Sequence, residues 1–118
     1  MAGKRRQPER AEQQALVTWF RLQYPTDLIF AIPNQLIRTE QQAIFAKRIG
    51  LVSGMPDLMV AAARKPYHGL FIEMKPASSI KSRVSFVQNR VVTLLQQKGY
   101  LAAICYGWDN AAWPRANP

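Results

Sequence analysis

Apolar residues recur along this chain in two rhythms, one of period near 3.6 and one of short continuous runs. Ala15, Leu16, Trp19 and Phe20 fall at i, i+3, i+4 spacing and predict an amphipathic helix over Glu9 to Tyr24. Pro8 suits its start and Pro25 its stop. Leu28 to Ile32 is a short apolar run ended by Pro33-Asn34, and it predicts a strand. Thr39 to Ile49 predicts a second helix, with Thr39 as a cap and Gly50 as the stop. Two further strand-length runs follow, Leu58 to Ala63 and Gly69 to Ile72, separated by the turn-like Arg64-Lys65-Pro66-Tyr67-His68. Val84, Val87, Val91, Leu94 and Leu95 form the apolar face of a helix over Ser85 to Lys98. Ser85 and Gln88 match a capping box at its start, and Gly99 ends it. Tyr100 to Cys105 is a last apolar strand, and Trp108 to Trp113 predicts a short turn or helix.

The order is therefore helix, strand, helix, strand, strand, helix, strand. The two runs around Lys65 form an antiparallel hairpin. The link from Glu73 through the helix to Tyr100 implies a parallel pair, since such a crossover returns a strand in the same direction. A mixed sheet flanked by helices follows. The 118 residues fit one domain with one core. Residues 1–8 read as a disordered basic tail, 9–113 as the domain and 114–118 as a frayed end.

A hydrophobic content of 48% with 19% charged residues marks a globular chain rather than a disordered one. The formal net charge of +9 favours a polyanionic partner, nucleic acid first and an anionic membrane surface second. No apolar stretch is long enough to span a bilayer, and the basic N-terminus leads into no signal-like apolar core. The expectation is a cytoplasmic protein with no membrane partner. Cys105 is the only cysteine, so an internal disulfide is excluded, and its apolar run makes it a small core residue. His68, also alone, reads as a loop residue.

The chemistry concentrates in Gly54-Met55-Pro56-Asp57 and, fifteen residues on, Glu73-Met74-Lys75. Glu73 and Lys75 are two apart and share a sheet face. A hairpin centred on Lys65 sets Asp57 opposite Glu73; one centred on Pro66 sets it opposite Lys75. Either register puts all three side chains on one face. Carboxylates are hard ligands suited to magnesium, and a lysine beside them can orient water or stabilise a pentacovalent phosphorane. A structural salt bridge at a strand end explains the same residues equally well. Gly54 permits unusual backbone angles and Pro56 fixes the approach to the strand, so the loop holding Ser53 should position Asp57 rigidly.

Glu12 lies one turn back from Ala15 and Leu16, in line with the buried stripe. It reads as a third metal ligand or as an acid favouring the positive end of the helix dipole. Gln88 is accounted for by the capping box. Arg38, Lys47 and Arg48 bracket the second helix, and Lys81 and Arg83 lie in the polar segment after Lys75. All five suit phosphate, and all five suit a solvated surface.

The spacing Pro56-Asp57, fifteen residues, Glu73-x-Lys75 resembles the PD-(D/E)xK nuclease superfamily. Ile32-Pro33-Asn34, Arg38, Ala46-Lys47-Arg48-x-Gly50 and Ser53-Gly54-Met55-Pro56-Asp57-Leu58 are similar to its VRR-NUC branch. So are Leu70-Phe71-Ile72-Glu73-Met74-Lys75, Ser85-x-x-Gln88, Gly99-Tyr100 and Gly107-Trp108. The likeness runs over about residues 9–110 and is strongest to compact stand-alone members from phages and bacteria. One departure is Gln35, where the family often has glycine after the Pro-Asn pair.

The resemblance implies an α/β restriction-endonuclease-like core and a nuclease domain. It implies that Mg2+ or Mn2+ is held by Asp57, Glu73 and the carbonyl of Met74, with Glu12 as a further ligand. Lys75 would stand beside the attacking water and Gln88 would border the site. Asn34, Arg38, Lys47, Arg48, Ser53, Lys81 and Arg83 are the expected DNA contacts. The implied activity is cutting of branched DNA, four-way junctions in particular, by a homodimer without a small-molecule cofactor, in a bacterial or phage-infected cell. Two alternatives stand beside it: a non-catalytic basic DNA-binding protein, and a restriction-type nuclease acting on duplex.

Overall fold

The computed structural model describes residues 2–33, 38–75 and 85–107, with side chains of the first helix described from Arg10 onward. Three helices and four strands follow in the order α1 (Ala2–Gln23), β1 (Ile29–Ala31), α2 (Glu40–Arg48), β2 (Leu58–Val60), β3 (Leu70–Lys75), α3 (Phe86–Gln97) and β4 (Leu101–Tyr106). The sheet order is β1-β2-β3-β4. β1 pairs with β2, and β2 with β3, antiparallel; β3 and β4 are parallel. This is the mixed, helix-flanked sheet expected from the order of apolar runs.

Strand alternation splits the core in two. Leu70, Ile72 and Met74 of β3 face α1 and pack with Leu16 and Phe20, both fully buried, and with Ile29, Leu58, Val60 and Cys105. Burying Leu16 and Phe20 stabilises the α1 contact by about 1.5–3 kcal/mol each. Phe71 faces the other way and packs with Val92 and Ala102, with Leu95 and Tyr100 around them. Residues of β3 with the parity of Phe71, namely Glu73 and Lys75, therefore point toward α3.

The hairpin centre is settled by pairing of Leu58 with Ile72 and Val60 with Leu70. That register is centred on Lys65, the one that sets Asp57 level with Glu73. Arg64 and Tyr67 exchange both backbone hydrogen bonds across the turn, at 3.0 and 2.7 Å. The turn is also clamped to the end of α1. Arg64 Nη2 donates to Asp27 Oδ2 at 2.7 Å while its guanidinium lies 4.8 Å from the centre of the Tyr24 ring.

Two boundaries differ from expectation. The helix begins at Ala2 rather than Glu9, so residues 2–8 are helical rather than a disordered tail. Ala, Lys, Arg and Gln are strong helix formers, and the helix runs through residues 2–7 although Pro8 removes one backbone hydrogen bond. β2 stops at Val60 although the apolar run extends to Ala63, because alanines offer a sheet little side-chain packing. Trp108–Trp113 and the end at 114–118 lie outside the described residues. Among the described residues, no helix is long and apolar enough to cross a membrane.

Candidate active site

Asp57 sits immediately before β2, where a buried Pro56 and a loop turning through Gly54 deliver it to the sheet. Gly54 has φ +85, and a Cβ there would lie 2.7 Å from Val87 Cγ1 and 2.9 Å from the Val87 carbonyl atoms. The loop is thus seated against the first turn of α3, beside Gln88. Only glycine meets both demands, a left-handed backbone and a contact closer than a side chain allows.

The Asp57 carboxylate accepts a hydrogen bond from the Met74 backbone N–H at 2.7 Å. Burial pushes the Asp57 carboxyl above its ordinary range, partly offset by the Met74 hydrogen bond and by the nearby charge of Lys75. A desolvated carboxylate of this kind gains most from a cation brought next to it.

Glu73, on the neighbouring strand, is only 6% exposed. Gln88 Nε2 donates to Glu73 Oε2 at 3.0 Å, and Lys75 Nζ lies 3.8 Å from the same oxygen. Gln88 Oε1 accepts from Lys75 Nζ at 3.3 Å and from the Ser85 backbone N–H at 3.2 Å. Ser85 Oγ in turn accepts from the Gln88 N–H at 3.0 Å. The capping box that starts α3 is therefore also the support of Glu73 and Lys75: one glutamine performs both tasks.

Two sequence-predicted carboxylates and the lysine are brought together by adjacent strands, and Gln88 joins them from α3. Glu12 is half-buried on α1, one turn before Leu16, on the helix that covers the opposite face of the sheet. Among the described residues no three His, Cys, Asp or Glu side chains form a group able to hold a metal, so Glu12 is not gathered with Asp57 and Glu73 into such a set. Arg38, Lys47, Arg48 and Ser53 are exposed on α2 and its flanking loops. Asn34, Lys81 and Arg83 lie outside the described residues. A hollow of about 380 Å³ runs along α1 between Arg10 and Arg21, and none of the residues around Glu73 lines it.

The donor set fits a hard divalent cation. Two carboxylates on adjacent strands and the Met74 carbonyl are oxygen ligands, and magnesium is usually held by only one or two carboxylates with waters filling the remaining positions. Two carboxylates drawn side by side out of water are the arrangement that such an ion would relieve.

Sequence reasoning reached Asp57, Glu73, Lys75 and Gln88 but missed the Met74 N–H as the partner of Asp57. Backbone donors leave no trace in a motif. It also missed the Gly54–Val87 contact, for which the isolated glycine was the only signal.

The comparisons with known proteins support the family and the fold. The model of the VRR-NUC domain family matches residues 3–109. A solved structure described as a VRR_NUC domain protein is 28% identical, with a TM-score of 0.70 over 88% of this chain and 81% of its own. A search of curated proteins gave no match.

Proposed function

This chain belongs to the VRR-NUC family of nucleases, and on that footing we propose that it is a metal-dependent, structure-selective DNA endonuclease that cuts branched DNA, four-way junctions foremost, as a homodimer. The observation that carries the reading is the hydrogen-bonded array on Glu73: a buried carboxylate with Gln88 and Lys75 upon it and Asp57 level with it on the next strand. A structural salt bridge has no need of a second desolvated carboxylate there, which only adds repulsion and desolvation cost.

Asp57, Glu73 and the Met74 carbonyl would hold Mg2+ or Mn2+, with Glu12 proposed as a further ligand. An ion held there would lower the pKa of its water and neutralise charge on the phosphate. Lys75 has three N–H donors, one of which is directed at Gln88. Its others orient the attacking water or meet a phosphate oxygen. Water attacks phosphorus and gives its proton to the surrounding solvent, the P–O bond in line with it breaks, and the departing oxygen takes a proton from solvent. Gln88 fixes both Glu73 and Lys75, so neither needs to reorganise during the step. Arg38 and Ser53 hold the backbone of the substrate, aided by Asn34, Lys81 and Arg83.

The test is cleavage of a labelled four-way junction and its matched linear duplex in Mn2+, Mg2+ or EDTA, beside Glu73→Ala. Junction cutting by the wild type alone, abolished by EDTA, is the expected result. Cutting by Glu73→Ala would remove the site assignment. Tight junction binding without cutting in any metal would leave a basic DNA-binding protein. Equal cutting of the linear duplex would remove the structure selectivity.

A further inference from the structure

α2 stands apart in the fold. Among the described elements it lies close to none of the other helices or strands. Its N-terminus is firmly built, since Thr39 and Gln42 form a reciprocal capping box. Yet Ala46 is its only buried residue. Ile44 and Phe45 on the helix, and Ile49 and Val52 just beyond, are 51, 63, 55 and 58% exposed. Four large apolar side chains in nine residues, all more than half exposed, form a patch of the kind that marks a protein interface. A phosphodiester backbone gains nothing from them, so DNA does not explain the patch.

The charge pattern identifies the occupant. Glu40 is in the first turn of α2 and Lys47 in the last. Seven residues is close to two helical turns, so the two lie on one edge of the Ile44–Phe45 face. A second α2 laid antiparallel across that face puts Glu40 opposite Lys47 of the partner subunit, and the reverse pair forms by symmetry. The surface is complementary to itself about a two-fold axis perpendicular to the helices, an arrangement that also opposes the two helix dipoles.

We infer that α2 is the dimerisation helix of this protein: two copies pair antiparallel through Ile44, Phe45 and Ile49, flanked by Glu40–Lys47 ion pairs across the axis. The inference rests on the homodimer proposed above and names its surface. It assigns Lys47 to the interface rather than to DNA, puts Arg48, four residues after Ile44 and three after Phe45, at the end of that same face, and leaves Arg38 for phosphate.

The test is sedimentation velocity on the full chain, with circular dichroism to confirm folding. The variants are Ile44→Glu, Glu40→Lys and Lys47→Glu, all at exposed positions. The wild type is expected to be a dimer and Ile44→Glu a folded monomer. Glu40→Lys and Lys47→Glu should each lose the dimer alone, through two like-charge contacts, and regain it when mixed. In the mixed pair, each site again holds one acid and one base. A merely structural effect of either substitution would not be rescued by mixing. A dimeric Ile44→Glu would overturn this surface while leaving the homodimer intact. A monomeric wild type would overturn both, and would leave the patch to a different protein. Failure of the mixture to re-form a dimer would overturn the antiparallel register.

Discussion

Gln88 Nε2 donates to Glu73 Oε2 at 3.0 Å, and this one bond ties the start of α3 to the middle strand of the sheet. The same side chain accepts from Lys75 and from the Ser85 N–H. Removing it therefore has two separable effects. Gln88→Ala strips a hydrogen bond from a buried carboxylate and half of a capping box, for an expected loss of about 1–3 kcal/mol in urea unfolding. Cleavage should fall by roughly 10–100-fold at saturating metal, the usual effect of losing a group that orients a ligand. Gln88→Glu keeps the size but sets a second acid against Glu73, and should lose more activity than Gln88→Ala.

Asp57 and the Met74 N–H separate structure from chemistry. Asp57→Asn keeps an acceptor for that N–H, so its stability should lie within about 0.5 kcal/mol of the wild type, or above it, because a desolvated charge is gone. Asp57→Ala leaves the N–H without its partner and should cost about 1–3 kcal/mol. Both should be inactive on a junction. Urea unfolding and cleavage assays on the two variants read the difference. An active Asp57→Asn would remove Asp57 from the site.

Much of this was legible in the sequence. The period of Leu16 and Phe20 gave α1, the capping residues Thr39 and Ser85 gave the starts of α2 and α3, and the runs either side of Lys65 gave the hairpin. The register was narrowed to centres at Lys65 and Pro66, both of which keep Asp57, Glu73 and Lys75 on one face, and the pairing of Leu58 with Ile72 selects Lys65. What was not legible depends on contacts between distant parts of the chain. Gln88 was explained fully by its local cap, so its bonds to Glu73 and Lys75, 15 and 13 residues away, were invisible without the parallel crossover. The start of α1 was misplaced because Pro8 is a local signal and propensity over residues 2–7 is a summed one. Glu12 was placed on the buried stripe by its spacing, but spacing says nothing about which face of the sheet that stripe covers.

Glu12 can be tested directly. As a ligand added on binding of DNA and ion, Glu12→Gln should raise the Mn2+ concentration needed for half-maximal cleavage and leave junction affinity in EDTA unchanged. With α1 starting at Ala2, Glu12 lies mid-helix and away from the positive end of the dipole; if its role is only structural, thermal unfolding should shift while the metal dependence stays where it was.

The Gly54–Val87 contact predicts a steric asymmetry. Gly54→Ala must accept φ +85, which costs about 1–2 kcal/mol, and must push its Cβ away from Val87. Val87→Ala in the same chain relieves the contact with Cγ1 at 2.7 Å but not those with the Val87 backbone at 2.9 Å. The double variant should therefore recover only part of the lost stability. Full recovery would mean that the loop is held by side chains alone. Because this loop carries Asp57, cleavage should fall further than the loss of folded protein accounts for.

Cys105 gives the fold a dependence on alkaline pH. It is buried among Leu16, Ile72 and Met74 of the α1-facing core, and burial pushes its thiol from 9.0 to about 11. Below pH 9 the thiol is protonated in folded and unfolded chains alike and contributes no slope. Between pH 9 and 11 the unfolded chain gives up the proton while the folded chain keeps it, so stability falls as pH rises, by roughly 2–3 kcal/mol at the end of that range. Lysines and tyrosines titrate in the same interval, so the relevant quantity is the difference between the wild type and Cys105→Ala. The alanine variant should be less stable at pH 7 for want of packing, and its stability should converge on that of the wild type toward pH 11. Parallel profiles would show that the thiol ionises equally in both states. The same burial predicts that a thiol-specific disulfide reagent at pH 8 labels Cys105 at the rate of unfolding, and at once in urea.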